Sequence, residues 1–161
     1  MRRWLLPITG TILAIALGVL VSCRLEEPAV APLGIAVGRT EVSATTSGAD
    51  GSATGTGYTD AMVRGAVMAV YVDYGSSMAA TTDLTLAAKS APTESFVSLS
   101  DQATDKWVYP RRMVQDNTGT DVTFDGTNEI YEPYWVDDYV TLSIAQSTPT
   151  KTVKCYIYWQ R

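Results

Sequence analysis

The feature that most constrains this fold is a pattern of short alternating strands that continues from Arg39 to the C-terminus without a helical stretch. Turn residues separate these strands at spacings of about ten residues. Such a pattern is typical of sandwiches and jelly rolls, and a chain without helices cannot form a parallel α/β fold. We therefore predict an all-β domain over residues 40–161, an antiparallel β-sandwich or jelly roll of eight to ten short strands.

Several strand pairs can be predicted from the turns between them. Residues 52–59 follow the alternating run 41–46 and are expected to return as its hairpin partner. Residues 63–74 form the longest run, and apolar side chains on both of its faces indicate a central, doubly covered strand. The last two strands, residues 139–145 and 152–159, are predicted to pair across the loop between them.

A further hairpin is predicted near the middle of the domain. Asp125 and Gly126 lie between the alternating residues 122–124 and 127–131. Because Asp-Gly tolerates positive φ angles, this spacing predicts a two-residue type I′ turn.

The first 23 residues have the features of an export signal. Two arginines follow Met1, residues 4–21 are mostly apolar, and a small residue precedes Cys23. The motif Leu20-Val21-Ser22-Cys23 resembles the lipobox of bacterial lipoproteins, which implies lipidation of Cys23 and attachment to a membrane. An ordinary signal peptide and an uncut apolar anchor helix are the alternatives. All three place the domain outside the cytoplasm, behind a flexible tether at residues 24–39.

Composition restricts the chemistry that the chain can perform. The 161 residues contain no histidine, which is the commonest general base and metal ligand, and the net charge is −5. An acidic surface repels phosphate backbones, so we expect no nucleic-acid partner. We predict a non-enzymatic protein without a cofactor. The one candidate Ca²⁺ set consists of Asp116, Asp121 and Asp125, although turns use aspartate for the same geometry.

The aromatic residues are the remaining functional signal. Exposed tyrosine and tryptophan are enriched in protein contacts, and they also stack on sugars. On the last strand, alternation separates two tyrosines from Val153, Cys155 and Ile157, which can fill the core. The candidates for a subunit interface or for ligand stacking are Tyr131, Tyr134, Trp135, Tyr156 and Tyr158; burial on both sides of the sheet is the alternative.

Cys155 has two interpretations. If Cys23 is lipidated, Cys155 has no partner within the chain. A small buried hydrophobic residue is the simpler interpretation. A disulfide between two chains is the other.

Short turn-like motifs are distributed from about Thr40 to the C-terminus. They are Thr45-Thr46 with Ala49-Asp50-Gly51, Arg64-Gly65, residues 81–86, Tyr109-Pro110-Arg111, residues 116–119 and Val136-Asp137-Asp138. In these motifs the region resembles a family of small bacteriophage structural proteins that are encoded among capsid and tail genes. The resemblance implies a non-catalytic virion component that is repeated in a symmetric assembly.

The export signal and this resemblance lead to one functional hypothesis. Virion proteins that assemble in the cytoplasm need no export signal, so we expect a related domain that has been recruited to the cell surface. It would be lipid-anchored and would self-associate into a fibre or lattice. The alternatives are a virion location and a carbohydrate- or protein-binding surface lipoprotein module.

Overall fold

The computed structural model of the chain describes residues 36–92 and 94–161. This part of the chain contains ten β-strands in two antiparallel sheets and no helix, which confirms the all-β prediction and its strand number. The strands are β1 (Val37–Thr45), β2 (Ala53–Tyr58), β3 (Val63–Asp73), β4 (Asp83–Ala88), β5 (Ser95–Leu99), β6 (Lys106–Val108), β7 (Arg111–Met113), β8 (Tyr131–Asp138), β9 (Val140–Ser147) and β10 (Thr152–Gln160).

The predicted N-terminal segments lie largely outside the described residues. This holds for the export signal or apolar anchor helix, for Cys23 and for most of the tether. β1 begins at Val37, so residues 37–39 belong to the sheet and not to the tether. Among the described residues, no helix has the length and apolar character that a membrane crossing requires.

The two sheets differ in size and share no strand. The larger sheet has six strands in the order β1-β10-β3-β8-β7, with β6 also paired to β3. The smaller sheet has the order β2-β9-β4-β5. One edge of β3 serves two partners, because residues 63–67 pair with β8 and residues 70–72 pair with β6.

The core lies between the inward faces of the two sheets. Alternation along β9 sends Val140, Leu142 and Ile144 inward, and the same period on β10 buries Val153, Cys155 and Ile157. Burying an aliphatic side chain of this size contributes about 1.5–3 kcal/mol to folding. A single cluster of such residues from both sheets therefore holds the sandwich together.

A β-bulge corrects the prediction for β3. Tyr158 is paired with Ala69 and Trp159 with Val67, so Met68 is an extra residue in the ladder. The inward phase consequently changes from Val67 to Val70. The mixture of apolar residues that indicated a doubly covered strand results from this phase change. β3 is central in its sheet, but its outer face is only partly covered.

The predicted pairings of neighbouring strands were wrong in two places. β1 pairs with β10 and β2 pairs with β9, so these two strands enter different sheets after a single bridge between Ser47 and Thr54. β9 and β10 are likewise consecutive but lie in different sheets. The turns were identified correctly, but each one passes the chain between the sheets.

Two glycines allow β1 and β2 to approach each other at this corner. A Cβ on Gly57 would overlap the carbonyl oxygen of Ser43, and a Cβ on Gly55 would lie 3.0 Å from the Thr45 carbonyl oxygen. Both obstacles are backbone atoms, so they cannot move aside as a flexible side chain could. Position 57 must therefore be glycine, because there is no room for a side chain between β1 and β2.

The outer face of the smaller sheet carries a row of hydroxyl groups. Thr56 lies opposite Ser143, Ser143 opposite Thr85, and Thr85 opposite Ser98, so the row crosses all four strands. None of these four side chains is charged or aromatic. This hydroxyl row contrasts with the outer face of the larger sheet.

Cys155 provides a first test of the fold. Its side chain is buried, which confirms the simpler of its two interpretations, and burial, followed by the charge of Asp73, raises the pKa of its thiol to about 12. A disulfide between chains would require β10 to open.

Because the thiolate is the reactive form, we expect Cys155 to react with a thiol reagent at pH 8 more slowly in the native protein than in urea, by a factor on the order of ten or more. Equal rates in the Cys23→Ser variant, where Cys155 is the sole thiol, would contradict this burial.

Candidate interaction surface

The outer face of the larger sheet carries four aromatic rings in mutual contact. Tyr156 of β10 lies opposite Tyr71 of β3, and Tyr71 lies opposite Trp107 of β6. The ring centroid of Tyr71 lies 6.3 Å from that of Tyr156 and 5.1 Å from that of Trp107. The ring centroids of Tyr158 and Trp107 are 5.5 Å apart. We refer to Tyr71, Trp107, Tyr156 and Tyr158 as the aromatic row. Cross-strand register assembles it from three strands.

Charged groups surround the aromatic row. The Arg39 guanidinium lies 4.5 Å from the ring centroid of Tyr156, within the range of a cation–π interaction. The Tyr71 hydroxyl donates a hydrogen bond to Asp105 Oδ2 over 3.3 Å. Partial removal from water, followed by the Asp105 charge, raises the pKa of Tyr71, which keeps its hydroxyl neutral as a donor. Trp107 is 50% exposed, so one ring of the row is open to a partner.

The aromatic row also has a structural role that can be measured. β6 has three residues, and Trp107 provides its ring contacts with Tyr71 and Tyr158. Aromatic pairs of this kind contribute about 0.5–1.5 kcal/mol each beyond their buried area. We therefore expect Trp107→Ala to lower the free energy of unfolding by about 1–2 kcal/mol in urea titration. Tyr109→Ala, at an exposed ring just after β6, is the control and should change it by less than about 0.5 kcal/mol.

The predicted group on β8 does not form one surface. Tyr134 points inward and its ring lies 5.5 Å from Phe96, so it packs against the core. Trp135 points outward and is 58% exposed. Tyr131 is exposed and donates a hydrogen bond to Glu129. Because successive residues of a strand face opposite sides, Tyr134 and Trp135 cannot act on the same ligand.

Trp135 borders a shallow recess on the outer face of the larger sheet. We call this the Trp135 recess; its lining consists of Arg64, Trp135, Asp137 and Arg161. Arg64 Nε lies 3.4 Å from Asp137 Oδ1, and these residues are directly paired across β3 and β8. No ion pair to Arg161 forms among the described residues. The recess thus combines one exposed indole with two guanidinium groups and one carboxylate.

The segment between β7 and β8, residues 114–130, is a hydrogen-bonded arm. Val114 donates from its N–H to the Ile130 carbonyl over 2.9 Å, and Val122 donates to the Val114 carbonyl over 2.8 Å. We call this segment the acidic arm, because Asp116, Asp121, Asp125 and Glu129 are its only charged residues. The arm contains two successive turns, one bridged between Gln115 and Asp121 and the other between Thr123 and Glu129. The second bridge joins the two segments that were predicted to form a hairpin.

The tip of the acidic arm corrects the predicted type I′ turn. Phe124 donates from its N–H to the Asn128 carbonyl over 2.8 Å, which closes a three-residue loop. Within that loop Gly126 has a positive φ of 82°, whereas a type I′ turn requires positive φ at Asp125 as well. Asp125 instead accepts hydrogen bonds from the N–H groups of Thr127 and Asn128. The loop holds Phe124 at the tip with 83% of its surface exposed.

The three candidate Ca²⁺ ligands are used within the turns. Asp116 Oδ1 accepts from the N–H groups of Thr118 at 2.8 Å and Thr120 at 3.0 Å, and Asp121 Oδ1 accepts from the Gln115 side chain. Hydrogen bonds lower the pKa of the Asp116 and Asp125 carboxyl groups. The largest effect comes from Thr118 at Asp116 and from Asn128 at Asp125. In residues 36–92 and 94–161, no three His, Cys, Asp or Glu side chains converge as metal ligands would. The structure therefore does not bring Asp116, Asp121 and Asp125 together as a site.

The structure brings together residues that the sequence alone did not connect. Tyr156 and Tyr158 lie on the outer face of β10. Their partners Tyr71 and Trp107 belong to β3 and β6, two strands that are distant from β10 in the sequence. Phe124 was placed only as part of a hairpin strand. Comparison of the chain with family models, with curated proteins and with solved structures gives no match.

Proposed function

We propose that this protein is an exported, non-enzymatic structural protein that self-associates through the outer face of its larger sheet. The observation that carries this proposal is the aromatic surface of that face. Trp107 in the aromatic row and Trp135 in the recess are each half exposed or more. Tryptophan and tyrosine dominate the energetics of protein contacts because each buries a large rigid area.

The other parts of the proposal rest on the sequence. The absence of histidine removes the commonest general base, which supports a role without turnover. The lipobox-like motif that ends at Cys23 supports export and attachment by lipid to the cell envelope. The motif resemblance to bacteriophage structural proteins supports repetition in an assembly, with the virion as the alternative location.

Self-association can be tested on the purified full-length chain in mild detergent. Light scattering coupled to size exclusion should give a mass that rises with protein concentration, and negative-stain images should contain ordered oligomers. Trp135→Ala, at an exposed ring of this face, should shift this equilibrium toward the monomer. A mass that stays monomeric up to concentrations of about 1 mM would contradict the proposal, because a structural assembly must form below that range.

A carbohydrate-binding module is the second candidate function. It is favoured by one observation, namely that Trp107 and Trp135 lie on the same outer face and could each stack on a sugar ring. A monomer that is retarded on a glycan column, with quenching of tryptophan fluorescence, would support this function over assembly. Release from the column by Trp107→Ala would identify the aromatic row as the platform.

Lipid attachment has its own experiment. Cells that express the protein should incorporate a labelled fatty acid into it, and Cys23→Ser should abolish the label. Fractionation should then show the Cys23→Ser variant leaving the membrane pellet. Labelling that survives in the variant, or its absence from the original chain, would contradict the lipid anchor.

A further inference from the structure

The acidic arm concentrates the charge of the molecule at one place. The whole chain has 12 basic and 17 acidic residues and a net charge of −5, and the arm holds four carboxylates without a basic residue. Most of the net charge can therefore be assigned to the arm. Two arms brought face to face would repel each other.

The tip of the arm presents an apolar ring in a fixed position. Phe124 is 83% exposed, and the loop that carries it is closed by its own backbone hydrogen bond to Asn128. Asp125 adds hydrogen bonds to two backbone N–H groups of the same loop. Because the loop is already ordered, docking Phe124 would cost less conformational entropy than docking a flexible segment.

The Trp135 recess has the complementary chemistry. Its exposed indole offers an apolar wall, and Arg161 places a guanidinium group beside it. Arg64 adds a second guanidinium, which already pairs with Asp137 of the same lining. Guanidinium groups bind carboxylates and stack on aromatic rings. At Gly65, a Cβ would overlap the Gln160 carbonyl oxygen, so the backbones of β3 and of the end of β10 meet closely at this position.

We propose that Phe124 of one copy docks into the Trp135 recess of a second copy. The flanking carboxylates Asp125 and Glu129 would then lie beside Arg161 and the Arg64–Asp137 pair of that second copy. This inference rests on the proposed self-association and specifies its contact. Because arm and recess are different surfaces of one molecule, the contact is head-to-tail and can add copies without closing on itself.

Single substitutions test each side of the contact. Phe124→Ala removes the ring from the arm, and Trp135→Ala removes the wall of the recess; both side chains are exposed, so the fold should be retained, as near-UV circular dichroism will check. Each variant should reduce the mass of the full-length protein to that of the monomer. Arg161→Glu is a second recess variant and should weaken assembly at least tenfold at low salt. Tyr58→Ala, at an exposed ring on the smaller sheet, is the control and should assemble normally.

Mixing the variants gives the decisive result. The Phe124→Ala protein keeps an intact recess and the Trp135→Ala protein keeps an intact arm, so an equimolar mixture should form heterodimers and nothing larger. If both variants assemble like the unmodified chain, or if their mixture stays monomeric, the docking contact is wrong while self-association stands. If the unmodified chain is itself monomeric, the proposed function fails together with this contact.

Discussion

Replacing Gly57 by alanine should lower the free energy of unfolding by about 3 kcal/mol, a large share of the roughly 5–15 kcal/mol that stabilises a typical domain. The added methyl group would overlap the Ser43 carbonyl oxygen where β1 and β2 meet. That oxygen belongs to a strand that is paired along its whole length with β10. Relief of the overlap must therefore move β1 or β2, and either movement disturbs the core. Urea unfolding followed by circular dichroism measures the loss.

Two matched variants on the same strand separate this overlap from general effects of substitution. Gly55→Ala places its methyl group 3.0 Å from the Thr45 carbonyl oxygen, so its cost should be clearly smaller. Thr56→Val keeps the β-branched shape on the exposed outer face and should change stability by less than about 0.5 kcal/mol. A Gly57→Ala protein as stable as the Thr56→Val protein would show that the corner is looser than the structure has it.

Tyr74 should respond in opposite directions to two substitutions. Its side chain is fully buried beside β4 and β10, and its hydroxyl has no hydrogen-bond partner among the described residues. Tyr74→Phe removes a buried polar group without loss of packing, so it should raise the free energy of unfolding by about 1 kcal/mol. Tyr74→Ala leaves a cavity and should lower it by about 3–5 kcal/mol. A Tyr74→Phe protein less stable than the original would mean that the hydroxyl is satisfied.

The pH dependence of the free energy of unfolding should also differ between Tyr74→Phe and the original protein. Burial raises the pKa of Tyr74 in the folded state, so the unfolded chain loses this proton first as the pH rises. Stability is then fully present below the unfolded value of about 10 and decreases above it. Tyr74→Phe should show a smaller alkaline loss. The part that remains begins near the unfolded thiol pKa of about 8.5, because burial also raises the pKa of Cys155. Tyr71, Tyr131 and Tyr134, whose pKa values are raised as well, add to it at higher pH.

Local signals predicted the strands well but their pairing poorly. The run at residues 152–159 was predicted to within one residue of the bounds that β10 has, because alternation and turn residues act over a few positions. Whether β10 pairs with β9 or crosses to β1 and β3 depends on contacts between distant segments. Both strands alternate equally well, so neither pattern identifies its sheet.

The candidate site shows the same limit. Alternation placed Tyr156 and Tyr158 away from the core, and the structure has them on the outer face. Their contact with Trp107 depends on the register of β6 against β3, which no local pattern specifies. The bulge at Met68 adds to the difficulty, since one extra residue exchanges the two faces of β3.

The hydroxyl row on the smaller sheet bears on the shape that an assembly could take. Thr56, Ser143, Thr85 and Ser98 are small, neutral and readily wetted, so this row gives a neighbouring molecule neither a ring to cover nor a charge to neutralise; the exposed ring of Tyr58 lies beside the row, at the end of β2. A string of copies that grows by arm and recess would keep this side toward water. Such a string would lengthen without thickening, as a single thread and not as a bundle.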